Sequence, residues 1–323
     1  MSTPRPVLLD CDPGHDDAIA MLLAVSDPGI DLRAVTTVAG NTSLDNTTRN
    51  ALRVLDLVGR ADIPVARGRS GPLVRQLSTA ELMHGEGGLA GPLPTEPSRP
   101  ALDVPAIELI EQVLIDADEP ITLVATGPLS NMADVVQRLP HLRDRIRELV
   151  IMGGAVDLGN WTPAAEFNIW VDPHAADIVF RAACVPGADR GEQRHIPLTM
   201  IGLEVTHKAW LTDEHADALR HTGHTGLFVA ELLDHFVGFH QTRFGWEGGP
   251  IHDAVTIAHL IDPKLVTVLP MNVQIETESP LCLGRTVADR WAVTDREPNA
   301  AVGLDIDRNR FVTMLLEHLS GLP

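Results

Sequence analysis

The sequence predicts an α/β fold: a Rossmann-like, mostly parallel sheet flanked by helices, with an added helical region and extra strands in the last third. Two observations carry this. Short apolar, β-branched runs that end in turn residues alternate with longer runs of helical periodicity through the first half of the chain, which is the pattern of right-handed βαβ units. The chain has 323 residues, 44% hydrophobic and 21% charged, an ordinary globular composition with enough length for one large core. A single domain over residues 1–323 is expected.

Taken in order, "PVLLD" reads as a strand and "DDAIAMLLAVS" as the helix after it; "DLRAVTTVAGN" is followed by helical "LDNTTRNALRVLDLVG". "IPVA" leads into residues 67–100, rich in Gly and Pro and carrying "HGEGG". A long loop in a compact fold tends to be functional, so this one is expected to cover the site. "PITLVATG" precedes "PLSNMADVVQRL", and "RELVIMGG" precedes a loop and then "DPHAADIVFRAAC". Residues 185–197, "VPGADRGEQRHIP", read as a surface insertion. Beyond them "GLFVAELLDHFVGFHQTRFG" and "HDAVTIAHLID" read as helices and "KLVTVLPMNVQIET" as strand.

The formal net charge is -19, spread along the chain. That argues against polyanionic partners, nucleic acid or anionic membrane, and fits a neutral or cationic small ligand. Cys11, Cys184 and Cys282 form no metal-ligand spacing and read as free buried thiols of a reducing compartment. The start, "MSTPRPVLLD", carries no basic-then-apolar leader, so a cytoplasmic setting is expected.

In a parallel sheet ligands gather at the carboxyl ends of the strands. Those ends are followed here by Asp12 to Asp17, by Gly40 and Asn41, by Thr126 and Gly127, and by Gly153 to Asn168. The first segment crowds Asp10, Asp12, Asp16 and Asp17 where a strand turns into a helix. Capping at the helix N-terminus accounts for Asp16 and in part for Asp17; it does not account for Asp12. Oxygen-only ligands at this density suit a hard cation, Ca²⁺ or Mg²⁺.

A D-x-D after a strand also begins enzymes that transfer phosphoryl groups through an aspartate nucleophile, so a Mg²⁺-dependent phosphoryl hydrolase is one alternative. Here Pro13, Gly14 and His15 follow, where such enzymes have a small hydroxylated residue. "GHDDA" likewise lacks the proline and zinc-spaced histidines of a His-Pro-Asp-Asp deacetylase. No GxxxxGK or spaced-glycine dinucleotide fingerprint is present.

Six ordered segments, "DCDPGHDDAIA", "TTVAGN", "VATGPLSN", "VIMGG", "AEFNIWVDPHAA" and "HDAVTIA", resemble the inosine-uridine type nucleoside hydrolase family over nearly the whole chain. The resemblance implies metal-dependent hydrolysis of the N-glycosidic bond of ribonucleosides. It implies a Ca²⁺ held by Asp12, Asp17, the Thr126 carbonyl and Asp253, with Asp12 as general base. Asp16, Asn160, Glu166 and Asn168 would hold the ribose, and Asn41 would support the metal shell or the attacking water. His252 matches the leaving-group histidine, where a purine-restricted branch places tryptophan, and His84 matches a histidine of the base pocket. Relatives with broad specificity use tyrosines on the helix "LLDHFVGFHQTRF"; this chain has no tyrosine, and Phe236 and His240 stand there, spaced i, i+4 on one helix face. A homo-oligomer, dimer or tetramer, is expected by analogy. A relative that binds a ribosyl ligand without turnover remains a further alternative. The preferred base is left open.

Overall fold

The computed structural model describes residues 3–85, 87–89, 93 and 96–323. Strand β1 (Arg5–Cys11) is buried from its second residue onward, as a strand covered on both faces must be. It turns through Pro13 and Gly14 into α1 (His15–Ser26). The alternation continues with β2 (Ile30–Thr37), α2 (Leu44–Leu57), β3 (Val65–Arg67), α3 (Glu81–His84), β4 (Leu102–Pro105), α4 (Ala106–Asp116), β5 (Ile121–Ala125), α5 (Ser130–Arg138) and β6 (Ile146–Met152). Then come α6 (Phe167–Val171), α7 (Pro173–Arg181), β7 (Ala183–Cys184), β8 (Ile196–Ile201) and α8 (Leu203–Thr206). The last third holds β9 (Trp210–Leu211), α9 (Asp213–Leu219), α10 (His224–Phe244), β10 (Gly249–Pro250), α11 (Ala254–Ile261), β11 (Val266–Met271), β12 (Val273–Ile275), β13 (Thr286–Ala288), β14 (Ala300–Ile306) and α12 (Arg308–Ser320).

The main sheet runs β11-β14-β8-β6-β5-β1-β2-β3-β4, with β7 paired to β8. Every pairing is parallel except β11 with β14. The sheet thus has the mostly parallel architecture that the alternation predicts, flanked by helices, with two small antiparallel pairs, β9 with β10 and β12 with β13. One apolar core joins α1, α2 and the helices of the last third to one face. A second joins α4, α5 and α7 to the other.

Helix α1 is the exception to surface-helix patterning, because every residue from His15 to Ala24 is buried. It packs against α2, α10, α11 and α12 as well as the sheet, so the acids at its start are drawn inside with it.

Three expectations need correction. The stretch 67–100 is not without structure: α3 forms within it and brings His84 indoors, while residues 86, 90–92, 94 and 95 lie outside the described set. "KLVTVLPMNVQIET" is not one strand. It breaks at Asn272 into β11 and β12, which belong to different sheets, and the Asn272 amide donates to the Glu297 carbonyl at 2.7 Å. Cys11 and Cys184 are buried, but Cys282 is half-buried; all three are free thiols. Of residues 185–197, those from 185 to 195 separate β7 from β8 and are exposed over most of their length, while Ile196 and Pro197 are buried in β8. Among the described residues no helix is long and apolar enough to cross a membrane.

Candidate active site

The carboxyl ends of β1, β2, β5 and β6 bring the acidic segment together with Asn41, Thr126 and the 153–168 loop. Asp16, Asp17 and Asp253 each place a carboxylate oxygen within 4.8 Å of the other two, all three buried. Asp12 stands beside them, wholly buried. Its Oδ2 accepts from the Asn41 backbone N–H at 2.6 Å, whereas Oδ1 has no hydrogen-bond partner. The expected metal group was Asp12, Asp17 and Asp253 with the Thr126 carbonyl; the mutually close carboxylates are those of Asp16, Asp17 and Asp253.

Two glycines make room for Asp12. A Cβ at Gly40 would lie 2.1 Å from Asp12 Oδ2, and one at Gly127 would lie 2.6 Å from Oδ1. The close approach at these glycines is therefore to the Asp12 carboxylate itself.

Asp17 is held from several sides. It accepts from the Gly14 N–H at 3.1 Å, the Asn41 amide at 3.2 Å and the Thr126 hydroxyl at 2.8 Å. The Thr126 carbonyl accepts from the Asn168 amide at 2.7 Å. Glu166 caps α6, accepting from the N–H groups of Asn168 and Ile169, and also from that of Gly154. Asn160 accepts from the Phe167 N–H at 3.0 Å. Asp17, Asn160 and Glu166 are fixed by backbone donors, and the Asn168 amide by backbone carbonyls.

Crowding and burial oppose ionisation here. Burial raises Asp12 well above the usual carboxylate range, with repulsion from Asp17 adding to it and the Asn41 N–H opposing it. Burial followed by Asp17 lifts Asp16 to about 7. Asp17 is raised by burial, and Asp253 is raised well above the usual range by burial and then by Asp16 and Asp17. Glu166 is raised by burial against its backbone donors. Carboxyls this close must hold protons or share a cation. The all-oxygen donor set and the unpartnered buried Asp12 Oδ1 fit a hard divalent cation.

A cavity opens above the carboxylates. Asp16, Asn41, Thr126, Asn160, Glu166, Asn168 and Asp253 line one end. His84, Phe236, His240, Phe244, Trp246, His207 and His252 line the other. His252 Nδ1 lies 2.7 Å from the buried Thr206 hydroxyl, and burial holds its imidazole well below the ordinary range. His240 donates from Nδ1 to the Phe236 carbonyl at 2.8 Å and stacks on Trp246, with ring centres 5.5 Å apart. Phe236 is buried and meets the His240 ring edge-on at 4.5 Å. Trp161 both lines the cavity and packs its loop, edge-on to Phe167 at 4.8 Å.

The sequence reading passed over several members. Trp246 and His207 sit in unremarkable stretches, and only the fold brings them to the cavity. Thr206, the partner of His252, carries no signal forty-six residues away. His15, inside "DPGHDD", carries no site role in the sequence reading; it contacts His84, Nδ1 to Nδ1, at 3.0 Å. Asp10 lies beneath the site, accepting from the Thr36 hydroxyl at 2.6 Å and the Asn131 amide at 2.7 Å, and burial raises it to about 7.

Comparison with known proteins identifies the family. The model of the inosine-uridine preferring nucleoside hydrolases matches residues 7–313. A pyrimidine-specific ribonucleoside hydrolase RihA from Citrobacter koseri is 48% identical over 317 residues, 98% of either chain. Its namesake from Photobacterium profundum is 47% identical over 318 residues, 98% of this chain and 99% of that one. Among solved structures, a purine-preferring ribonucleoside hydrolase from Gardnerella vaginalis matches with a TM-score of 0.89 at 31% identity, over 98% of both chains. The plant nucleoside hydrolase PpNRh1 matches with a TM-score of 0.88 at 32% identity, over 98% of this chain and 99% of that one. The chain belongs to the inosine-uridine preferring nucleoside hydrolase family, and its reaction is hydrolysis of the N-glycosidic bond of ribonucleosides.

Proposed function

We propose that this enzyme acts on pyrimidine ribonucleosides, releasing ribose and the free base, with Ca²⁺ as its metal and Asp12 as general base. One observation carries the reading: Asp16 and Asp253, two of the buried Asp16–Asp17–Asp253 group that stands beside Asp12, line a cavity that imidazole and aromatic rings line as well. The curated relatives at 47–48% identity are named pyrimidine-specific, which supports the pyrimidine preference over the purine preference of a neighbour at 31%.

Asp12, Asp17, Asp253 and the Thr126 carbonyl would hold the ion, with Asp16 beside them. When bound, the ion lowers the pKa of water and orients a sugar diol. The protein's own residues do the rest. Asp16, Asn160, Glu166 and Asn168 take the ribose hydroxyls. Their oxygens then face the positive charge that builds on the sugar as the bond to C1′ lengthens.

Asp12 collects the proton of the attacking water. Its Oδ2 is committed to the Asn41 N–H, and Oδ1 is free of protein partners. As the new C1′–O bond forms, the electron pair of the C1′–N bond leaves with the base. A departing pyrimidine anion needs hydrogen-bond donors or a proton, and His252, His84 and His240 line that end of the cavity. Phe236 supplies an apolar ring against the base. Asn41 bridges Asp12 and Asp17 and keeps both in place.

Free thiols and the family resemblance support a cytoplasmic setting, and the same resemblance supports a dimer or tetramer, which light scattering of the purified chain would read. The deciding experiment for function is base release from uridine, cytidine, inosine, adenosine and guanosine, with and without chelator. Uridine and cytidine are expected to lead by at least about tenfold in kcat/KM, with activity lost on chelation and restored by Ca²⁺. Equal or faster purine release would overturn the pyrimidine reading. Undiminished turnover in chelator would overturn the metal.

A further inference from the structure

We propose that His15 is a positioning residue for the base end of the site: its backbone N–H and ring N–H together fix His84 as the tautomer protonated at Nε2, so that His84 meets the departing base as a hydrogen-bond donor. The proposal rests on the reading of His84 as a base-end residue. It concerns a side chain that the reaction chemistry above leaves unused.

The hydrogen bonds determine where the protons sit. The His15 backbone N–H reaches His84 Nδ1 at 3.3 Å, and a backbone amide can only donate. His84 Nδ1 therefore carries a lone pair, and in the neutral ring the proton is on Nε2. The two Nδ1 atoms lie 3.0 Å apart, which requires one proton between them, and it belongs to His15. An independent observation gives the same answer: His15 Nε2 is buried with no hydrogen-bond partner. A proton there would be an orphaned buried donor, which native structures tolerate less than an orphaned acceptor.

The surroundings leave neither ring much freedom. His15 meets His84 edge to edge, the ring planes 22° apart with the Nδ1 atoms facing each other, and lies near-parallel to His235 at 5.1 Å and 20°. A Cβ at Gly14 would stand 2.6 Å from His84 Nδ1, so His84 can seat itself only because Gly14 has no side chain. The seat is the N-terminus of α1, where free N–H groups and the helix dipole favour a lone pair over a cation. Burial, and then His15, hold the His84 imidazole well below its ordinary range.

The chemical consequence concerns where charge goes. When a pyrimidine leaves as an anion, the electron pair from the C1′–N bond spreads onto the carbonyl oxygens of the ring. A neutral His84 with its proton on Nε2 stabilises that charge by donating a hydrogen bond, without transferring a proton.

The test begins on the unaltered, Ca²⁺-loaded chain with ¹⁵N-labelled histidine, the His84 signals being assigned by their loss in His84→Ala. Expected is an unprotonated Nδ1 and a protonated Nε2. A protonated His84 Nδ1 near neutral pH would overturn the proposal with no variant needed. His15→Phe keeps a flat ring against His235 and removes the ring donor to His84; kcat on uridine should fall on the order of tenfold, with KM within about twofold and a far smaller loss on a nitrophenyl riboside. His15→Asn, which restores a donor near the Nδ1 position, should recover kcat to within about threefold of the parent. Equal losses on both substrates, or no recovery with Asn, would reduce His15 to a packing residue. If His84→Ala spares uridine turnover, the base-end reading itself fails, and that is distinguishable from an altered His84 tautomer.

Discussion

The two ends of the cavity are built in different ways. At the carboxylate end, Asp12, Asp16 and Asp17 come from one six-residue segment, and Asn41, Thr126 and Glu166 join them from strand ends and a helix cap, held by bonds to backbone groups and to Asp17. At the base end, His84 comes from a one-turn helix, Phe236 and His240 from α10, and His252, His207 and Trp246 from three further segments. There the contacts are mostly ring to ring. The first end fixes a reaction and has no latitude. The second selects a base and can be rebuilt side chain by side chain.

Substitutions at the two ends should therefore fail in different ways. The largest effect is expected from Asp12→Asn, which removes the base and a metal charge together: kcat should fall on the order of a thousandfold or more, with a much smaller change in KM. Turnover near that of the parent would remove Asp12 from its role. Next is His252→Ala, on the order of a hundredfold in kcat on uridine and only a few-fold on an activated nitrophenyl riboside. Equal losses on both would place His252 at the sugar or metal and erase the division between the ends.

A smaller effect is expected from His240→Ala. Uridine and inosine kcat/KM values, measured side by side, should change their ratio by up to about tenfold while the nitrophenyl riboside is little affected. A uniform loss across all three would mean that His240 supports the fold alone.

The smallest effect is thermal. Asp16 is raised to about 7 and Asp12, Asp17 and Asp253 are also raised, so these groups must release protons before they can share a cation. Binding is then weakened as pH falls through about 7. In the chelated chain the raised carboxyls hold protons that the unfolded chain has released, so their contribution to stability declines as pH rises from the unfolded value toward the folded one. Calcium restores it. Melting curves should show a Ca²⁺-induced rise in Tm of a few degrees at pH 7.5 that shrinks toward pH 5.5. A rise independent of pH would mean that the ion binds elsewhere.

The same contrast governs what could be read from sequence. The sheet was legible because alternating β-branched and helical runs leave few topologies open, and the acid-rich turn was legible because charge crowding is unusual wherever it occurs. The division of labour among the acids was less so: nothing in the spacing says that Asp16, and not Asp12, closes a mutually close group with Asp17 and Asp253. The base end was legible only where the resemblance reached. Thr206, His207 and Trp246 acquire their roles from distant packing, and α3 formed inside a stretch whose Gly and Pro content argued for none. The break at Asn272 follows Pro270, which lies inside β11 and does not itself end the strand. It is held by hydrogen bonds to residues beyond position 290.

Helix α1 has no face turned to water. A solvent-exposed helix can absorb substitutions on its outer side, but almost any exchange from His15 to Ala24 would be felt at once by the catalytic turn or by the packing around it. Divergence toward other nucleosides should therefore leave this stretch unchanged and accumulate on α10 and α3, which makes those two elements the natural targets for a library that seeks a new leaving group without rebuilding the chemistry.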